Sequence, residues 1–168
     1  MAKLESNFWQ EVKKKTQQFQ WVRLESWAGQ GVPDLLGTTK EGKFFTVELK
    51  VTKSNRVNIS PHQIAFHKSR KNSPSFFLVK SLVHGQSKKS QMYLVPSSLV
   101  DLLINDGLVA FSPLVNWDDL VTKLDQLVAW LVKVHRPSSI VHRPWSFYWH
   151  KLIYKLAHKC RDISYTNL

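Results

Sequence analysis

The segment from Phe44 to Val51 most constrains how this chain can fold, because its side chains alternate in character. Neighbouring side chains of a β-strand point to opposite faces of the sheet. Glu48 and Lys50 therefore share one face with Thr46, whereas the aliphatic residues between them form the other face. This alternation predicts a strand with charge on one side and a hydrophobic core on the other.

A β-hairpin is predicted over residues 34–52, with the loop Lys40-Glu41-Gly42 between its strands. Gly42 can adopt the left-handed conformation that closes a three-residue hairpin loop. With this loop, Asp34 lies directly opposite Glu48 on the charged face. Cross-strand neighbours have Cβ atoms about 4.5–5.5 Å apart, so the two carboxylates should converge.

Two converging carboxylates repel each other unless a cation neutralises them. Mg²⁺ prefers one or two carboxylates together with water and phosphate oxygens, so a magnesium site is the expected solution. Lys50 lies one pleat from Glu48 and could activate the attacking water and offset charge on a scissile phosphate. The chemistry that this arrangement predicts is phosphodiester hydrolysis.

Hydrophobic periodicity and turn residues predict the remaining elements. They are a helix over 3–19, a strand over 20–27, a helix from the N-cap Ser60 to about Lys71, strands over 75–82 and 91–95, and a short helix over 97–105. Two amphipathic helices follow, over 117–134 and 145–160, and Val-His-Arg-Pro occurs twice between them. The chain should therefore be α/β (α+β) in the order αβββαββ, with a core over 1–111 and a C-terminal helical extension over 112–168.

The charge distribution indicates an anionic polymer as the partner. The chain has 24 Lys and Arg against 12 Asp and Glu, a net charge of +12, and no carboxylate lies between Leu49 and Val100. Such a stretch suits the phosphate backbone of DNA, although a generally basic, highly soluble surface would have the same composition. The chain shows neither a membrane span nor an apolar signal core, so we expect a soluble cytoplasmic protein, in the host cytoplasm if the source is viral.

Pro33-Asp34 followed, after the hairpin, by Glu48-Leu49-Lys50 resembles the motif of the PD-(D/E)xK nuclease superfamily. The order of the elements and the run Ile59-Ser60-Pro61-His62-Gln63 are most similar to the archaeal and phage Holliday-junction resolvases and the VRR-Nuc (virus-type replication-repair) nucleases. The resemblance covers roughly residues 4–95. It implies a restriction-endonuclease-like core and a metal-dependent DNA endonuclease. It also implies Mg²⁺ as the cofactor, with Mn²⁺ able to substitute, and Holliday junctions or other branched DNA as the substrate.

The same resemblance implies roles for individual residues. In these families a Glu on the first helix joins the metal site and a Gln on the helix after the ExK strand supports it, positions that Glu5 and Gln63 hold here. We therefore expect the catalytic residues to be Asp34, Glu48, Lys50 and Gln63, and the metal ligands to be Glu5, Asp34 and Glu48. Glu25 is a further candidate, since some phage members have an acid on the strand before the motif, and Glu11 is a weaker one.

Two other functions and one structural explanation stand beside this hypothesis. A nuclease of the same fold could act on duplex ends or at a specific site, and the fold could also belong to a non-catalytic DNA-binding accessory protein. In purely structural terms, Asp34 would cap a turn, and Glu48 and Lys50 would form an exposed ion pair that contributes little stability.

Assembly and the remaining conspicuous side chains lead to three further expectations. A resolvase that cuts two opposed strands needs two active sites, which favours a twofold-symmetric homodimer, with either C-terminal helix as its interface.

The aromatic side chains over 145–149 should pack against the helix over 117–134 rather than stack on bases. His62 and His67 are five residues apart, off a common helical face, so we expect them to be solvated or to face phosphates rather than bind zinc.

If the acid-free stretch from Leu49 to Val100 faces phosphates, DNA binding should weaken steeply with salt. The logarithm of the affinity for duplex DNA should fall with the logarithm of salt concentration by about 0.9 for each neutralised phosphate. Fluorescence anisotropy between about 50 and 200 mM salt measures this slope. An affinity that stays constant across that range contradicts the prediction.

Overall fold

The computed structural model describes residues 2–24, 31–82 and 90–134, which form a five-stranded mixed sheet with helices on both faces. The helices are α1 (Ala2–Lys15), α2 (Pro61–Ser69), α3 (Val100–Asn105) and α4 (Trp117–Val134), with 3₁₀ turns at Ser97–Leu99 and Gly107–Ala110. The strands are β1 (Gln20–Arg23), β2 (Leu35–Thr38), β3 (Phe44–Thr52), β4 (Ser75–Ser81) and β5 (Gln91–Pro96). They lie side by side in chain order, and β3 and β4 are parallel whereas the other neighbouring pairs are antiparallel. The predicted α+β fold and the element order αβββαββ are confirmed.

The hairpin between β2 and β3 has the predicted loop and register. Gly42 has a φ of +73°, the left-handed conformation that its loop position requires. Leu35 pairs with Val47, so continuing the same register places Asp34 opposite Glu48. However, β2 begins only at Leu35 whereas β3 continues to Thr52. The second half of β3 therefore has no strand beside it on the β2 side among the described residues.

Each face of the sheet has its own hydrophobic core. The first core joins α1 and α4 to the aliphatic and aromatic face of β3 and its neighbours, and the second joins α3 and the following 3₁₀ turn to the opposite face of β4 and β5. Leu120, Leu124 and Val128 of α4 are fully or almost fully buried in the first core. The helix after residue 111 therefore helps to cover the sheet, and the division of the chain at 111 stays a prediction.

The first helix is shorter than the sequence predicted. It was expected to reach Phe19, but α1 ends at Lys15. The Thr16 hydroxyl donates to the Val12 carbonyl at 2.7 Å, and the Phe19 amide donates to the Thr16 carbonyl at 3.1 Å. This turn directs Phe19 into the first core instead of continuing the helix.

Several predicted features lie outside the described residues: Glu25 on the predicted strand over 20–27, the repeated Val-His-Arg-Pro connector, and the helix over 145–160. Where the chain is described, no helix is both long enough and apolar enough to cross a membrane.

Because α4 contributes to the first core, Leu124→Ala should strongly destabilise the fold. Leu124 is 1% exposed, and a large-to-small change at such a site typically lowers the free energy of unfolding by about 2–5 kcal/mol. Urea titration followed by circular dichroism measures the loss. Val115→Ala is the control, because Val115 is 85% exposed and its truncation should change stability by no more than about 0.5 kcal/mol. Equal stability of the two variants would show that α4 does not help to hold the fold together.

Candidate active site

Asp34 lies immediately before β2, at the point where β3 loses its neighbouring strand. Its backbone carbonyl accepts a hydrogen bond from the Leu24 amide at 2.8 Å, which continues the pairing of β1 with this segment. Its side-chain Oδ2 accepts from the Leu49 amide at 2.8 Å. The carboxylate thus takes the place of a strand partner for a backbone N–H group of β3. Burial raises the pKa of Asp34, against the opposing effects of the Leu49 amide and the Lys50 charge.

Glu48 is a buried carboxylate, with only 1% of its side chain exposed. Its Oε1 accepts hydrogen bonds from the Gln63 side-chain amide and from Lys50 Nζ, the latter at 2.9 Å. Its Oε2 is buried and has no hydrogen-bond partner among the described residues. Burial and then the neighbouring Asp34 charge raise the pKa of Glu48 to about 7, although Lys50 acts in the opposite direction. The interpretation of Glu48 and Lys50 as an exposed ion pair is therefore wrong.

Gln63 is oriented by the start of α2. Ser60 is the N-cap and Pro61 the first helical residue, as the sequence predicted. In the capping box, Ser60 Oγ accepts from the Gln63 amide and Gln63 Oε1 accepts from the Ser60 amide at 3.0 Å. Because the side-chain oxygen of Gln63 is held by Ser60, its NH₂ group is directed at Glu48. A helix cap thus fixes the donor that orients a buried carboxylate.

The segment that carries Asp34 packs directly against the same end of α2. Gly31 has a φ of +86°, and a Cβ placed on it would lie 2.5 Å from the His62 carbonyl oxygen. Only glycine fits this approach without displacing backbone. The contact brings the Pro33-Asp34 segment and the Gln63 segment together around Glu48.

Glu5 approaches the site from α1. Burial raises the pKa of Glu5, the Lys50 charge lowers it, the Asp34 charge raises it further, and the nearby Val51 amide lowers it. A cleft of about 110 Å³ opens here, lined by Glu5, Trp9, Arg23, Asp34, Leu35 and Leu49. In this cleft the half-buried Glu5 and the exposed Arg23 lie beside Asp34.

The donor set fits a hard divalent cation bound by few protein ligands. Across residues 2–24, 31–82 and 90–134, no three or more His, Cys, Asp and Glu side chains form a cluster that could hold a metal ion. Glu5, Asp34 and Glu48 therefore influence one another electrostatically without forming such a cluster. Mg²⁺ needs only one or two carboxylates when water and phosphate supply its other ligands. The buried, unpartnered Oε2 of Glu48 next to the Asp34 charge is the observation that suits a cation.

Glu11 is not brought to this site. Both of its carboxylate oxygens lie 2.6 Å from Lys80 Nζ, so it forms an ion pair across α1 and β4. Glu25 lies outside the described residues, so its candidacy stays a prediction.

His67 corrects the expectation that this residue is solvated or faces phosphates, because it is fully buried. Its ring lies 3.9 Å from that of Phe77, and Nδ1 lies 3.2 Å from Ser75 Oγ and close to Ser97 Oγ. Burial lowers its pKa to about 4, so the ring is neutral near pH 7. The sequence could have predicted this burial, because His67 lies four residues after Gln63. Side chains four residues apart share one face of a helix, and here that face meets the sheet. Arg23, which lines the cleft, was not among the predicted site residues, although it lies on the same predicted strand as Glu25.

The chain resembles several solved structures. No protein-family model matches the chain, and no curated protein sequence matches it significantly. Among solved structures, it is similar to Hjc, a Holliday junction resolvase from Archaeoglobus fulgidus, with a TM-score of 0.39 and 16% sequence identity. The match covers 58% of this chain and 76% of that one.

The raised pKa of Glu48 predicts a pH-dependent stability in the absence of metal. The folded chain keeps this proton between pH 4.5 and about 7, where the unfolded chain has lost it. Stability from this group is therefore complete below pH 4.5 and falls as pH rises to about 7, by about 3 kcal/mol for the whole shift. Glu48→Gln should lack this component.

The measurement is urea unfolding of both proteins in a chelator at several pH values across this window. Taking the difference between the two profiles removes the titration of other groups, including His67. Parallel profiles would mean that Glu48 does not hold its proton in the folded state.

Proposed function

We propose that this chain is a metal-dependent endonuclease that hydrolyses phosphodiester bonds in DNA. The observation that supports it best is the meeting of Asp34, Glu48 and Lys50 where β2 begins, with Glu48 Oε2 buried and without a partner among the described residues. A buried carboxylate without a partner is costly unless a cation or proton joins it. The preference for Holliday junctions or other branched DNA rests on the resemblance of the sequence to the resolvases.

In this proposal, Asp34 and Glu48 would bind Mg²⁺, or Mn²⁺ in its place, with Glu5 adding negative charge from α1. The bound cation would lower the pKa of a water molecule and stabilise charge on the phosphate. Gln63 holds Glu48 in position through its NH₂ group. Arg23, at the rim of the cleft, offers a positive charge to the approaching phosphate backbone.

Lys50 has a separate role in the proposal. Its Nζ lies 2.9 Å from Glu48 Oε1, and 13% of its side chain is exposed. An ammonium group at this position can orient the attacking water and stabilise the negative charge that develops on the phosphate. Lys50 would thus act on the transition state rather than hold the cation.

Cutting two opposed strands of a junction needs two sites, so the proposal includes a homodimer with twofold symmetry. Light scattering coupled to size exclusion measures this directly. A single species of the monomer mass, 19.5 kDa, at micromolar concentration would remove the dimer from the proposal.

Asp34→Asn and Lys50→Ala separate metal binding from catalysis. Asn keeps an oxygen for the Leu49 amide but loses the charge, so Asp34→Asn should bind Mg²⁺ more weakly and lose nearly all cleavage. Its metal-free DNA affinity should hold or increase, since one repulsive charge is gone. Lys50→Ala should also lose cleavage, because the ammonium group no longer stabilises the transition state, but it should still bind the metal. Cleavage assays and calorimetric metal titration measure the two properties.

The cleavage assay uses a four-way junction, a flap, a linear duplex and a single strand, each with and without Mg²⁺. Asp101→Asn is the matched control, because Asp101 is an exposed acid that pairs with Lys68 and should leave cleavage unchanged. Wild-type cleavage by Asp34→Asn would overturn the site. Absence of cleavage by the wild type on every substrate, with DNA still bound, would favour the non-catalytic accessory protein.

A further inference from the structure

The face of the sheet that carries Glu48 continues as an open apolar strip, formed by Val22, Leu36 and Phe44. Val22, Leu36 and Thr46 are cross-strand partners, and Phe44, Thr46 and Glu48 alternate along β3, so all of them share one face. Val22 is 56% exposed and Phe44 is 63% exposed. The described helices that cover Glu48 and β4 on this face therefore leave the strip uncovered.

Phe44 stands out among the exposed apolar side chains of the described residues. The others are Leu4, Val22, Val109 and Val115, none of which is aromatic. The core residues of β3 face the other way, so the core formed by the described residues does not account for an exposed Phe at the start of this strand. A planar ring lying open on a sheet is the surface on which an unpaired base stacks.

The charge around Phe44 suits a polyanion. The connection from α2 to β4 passes beside the start of β3, because the Thr46 amide donates to the Pro74 carbonyl at 2.9 Å. This connection begins with the exposed residues Arg70 and Lys71 and lies within the stretch of the sequence that has no carboxylate. The nearby hairpin carries Lys40 and Lys43 against Glu41, so residues 40–43 have a net charge of +1.

The distance from Phe44 to the candidate active site is short on the scale of a DNA strand. Glu48 lies four positions after Phe44 on β3, which corresponds to about 13 Å of strand. A stacked DNA strand advances about 3.4 Å per nucleotide, so this span holds about four nucleotides. A strand with one phosphate beside Asp34 can therefore extend along the strip.

We propose that the strip of Val22, Leu36 and Phe44 binds unpaired nucleotides of the DNA substrate, with a base stacked on Phe44. The inference rests on the proposed nuclease function and names the part of the substrate that this face selects. A base inside a duplex has both faces covered by its neighbours, so only unpaired nucleotides can use the ring. Three side chains are also too few to form a stable protein interface alone, which needs about 800 Å² on each partner.

Three substitutions of Phe44 test the proposal, with Val115→Ala as the control for loss of an exposed apolar side chain. Phe44→Ala removes the ring, Phe44→Leu keeps an apolar surface without an aromatic face, and Phe44→Trp keeps the aromatic face. Binding is measured by anisotropy in a chelator, on a flap containing 2-aminopurine among its unpaired nucleotides and on the fully paired duplex. Circular dichroism confirms that each variant is folded.

We expect Phe44→Ala and Phe44→Leu to bind the flap about 5- to 100-fold more weakly than the wild type and to change duplex binding by no more than about twofold. Phe44→Trp and Val115→Ala should bind like the wild type. The 2-aminopurine fluorescence should change on binding to the wild type and should not change with Phe44→Ala.

The outcomes distinguish this proposal from the nuclease function itself. If the wild type cleaves DNA but its binding to the flap does not depend on Phe44, the role of the strip is overturned and the nuclease function is not. Flap binding that depends on Phe44, without cleavage in Mg²⁺, supports the strip and overturns the nuclease. No DNA binding by the wild type overturns both, and conversion of a wild-type dimer to a monomer by Phe44→Ala would show that the strip is an interface between copies.

Discussion

The candidate site depends on a strand that begins too late to pair with the whole of its neighbour. Where β2 is missing, the amide of Leu49 on β3 has no strand beside it among the described residues, and an unsatisfied buried amide is costly. The Asp34 carboxylate accepts its hydrogen bond, and Glu5 approaches the neighbouring amide of Val51. The gap at the edge of the sheet thus gathers acidic side chains around Glu48, in a place where strand pairing would otherwise leave no room for a ligand.

Glu48 shows how the second half of the site is joined to the first. Its Oε1 accepts hydrogen bonds from Lys50 on the same strand and from Gln63 on α2. Gln63 is itself held by the cap of its helix, and that end of the helix packs against Gly31. Three separate segments of backbone therefore meet at a single carboxyl group.

Local patterns predicted the hairpin well because its determinants lie within the hairpin. Gly42 and the alternation along β3 are sufficient to set the register that brings Asp34 opposite Glu48, and Ser60-Pro61 is sufficient to start α2. The burial of Glu48 and His67 could not be read in the same way, since it arises from the packing of α2 on β3 and β4. The early end of α1 depends on the turn that follows it, in which the Phe19 amide donates to the Thr16 carbonyl and Phe19 enters the first core.

The sharing of one core by α1 and α4 has a consequence for synthesis of the chain on the ribosome. Phe8 and Leu124 belong to the same buried cluster although more than a hundred residues separate them. Contacts of such long range form late, because the intervening chain must first be made and ordered. During translation, the apolar face of the nascent sheet stays exposed to water until α4 has emerged from the exit tunnel. Chaperones that bind exposed apolar segments have that interval in which to act.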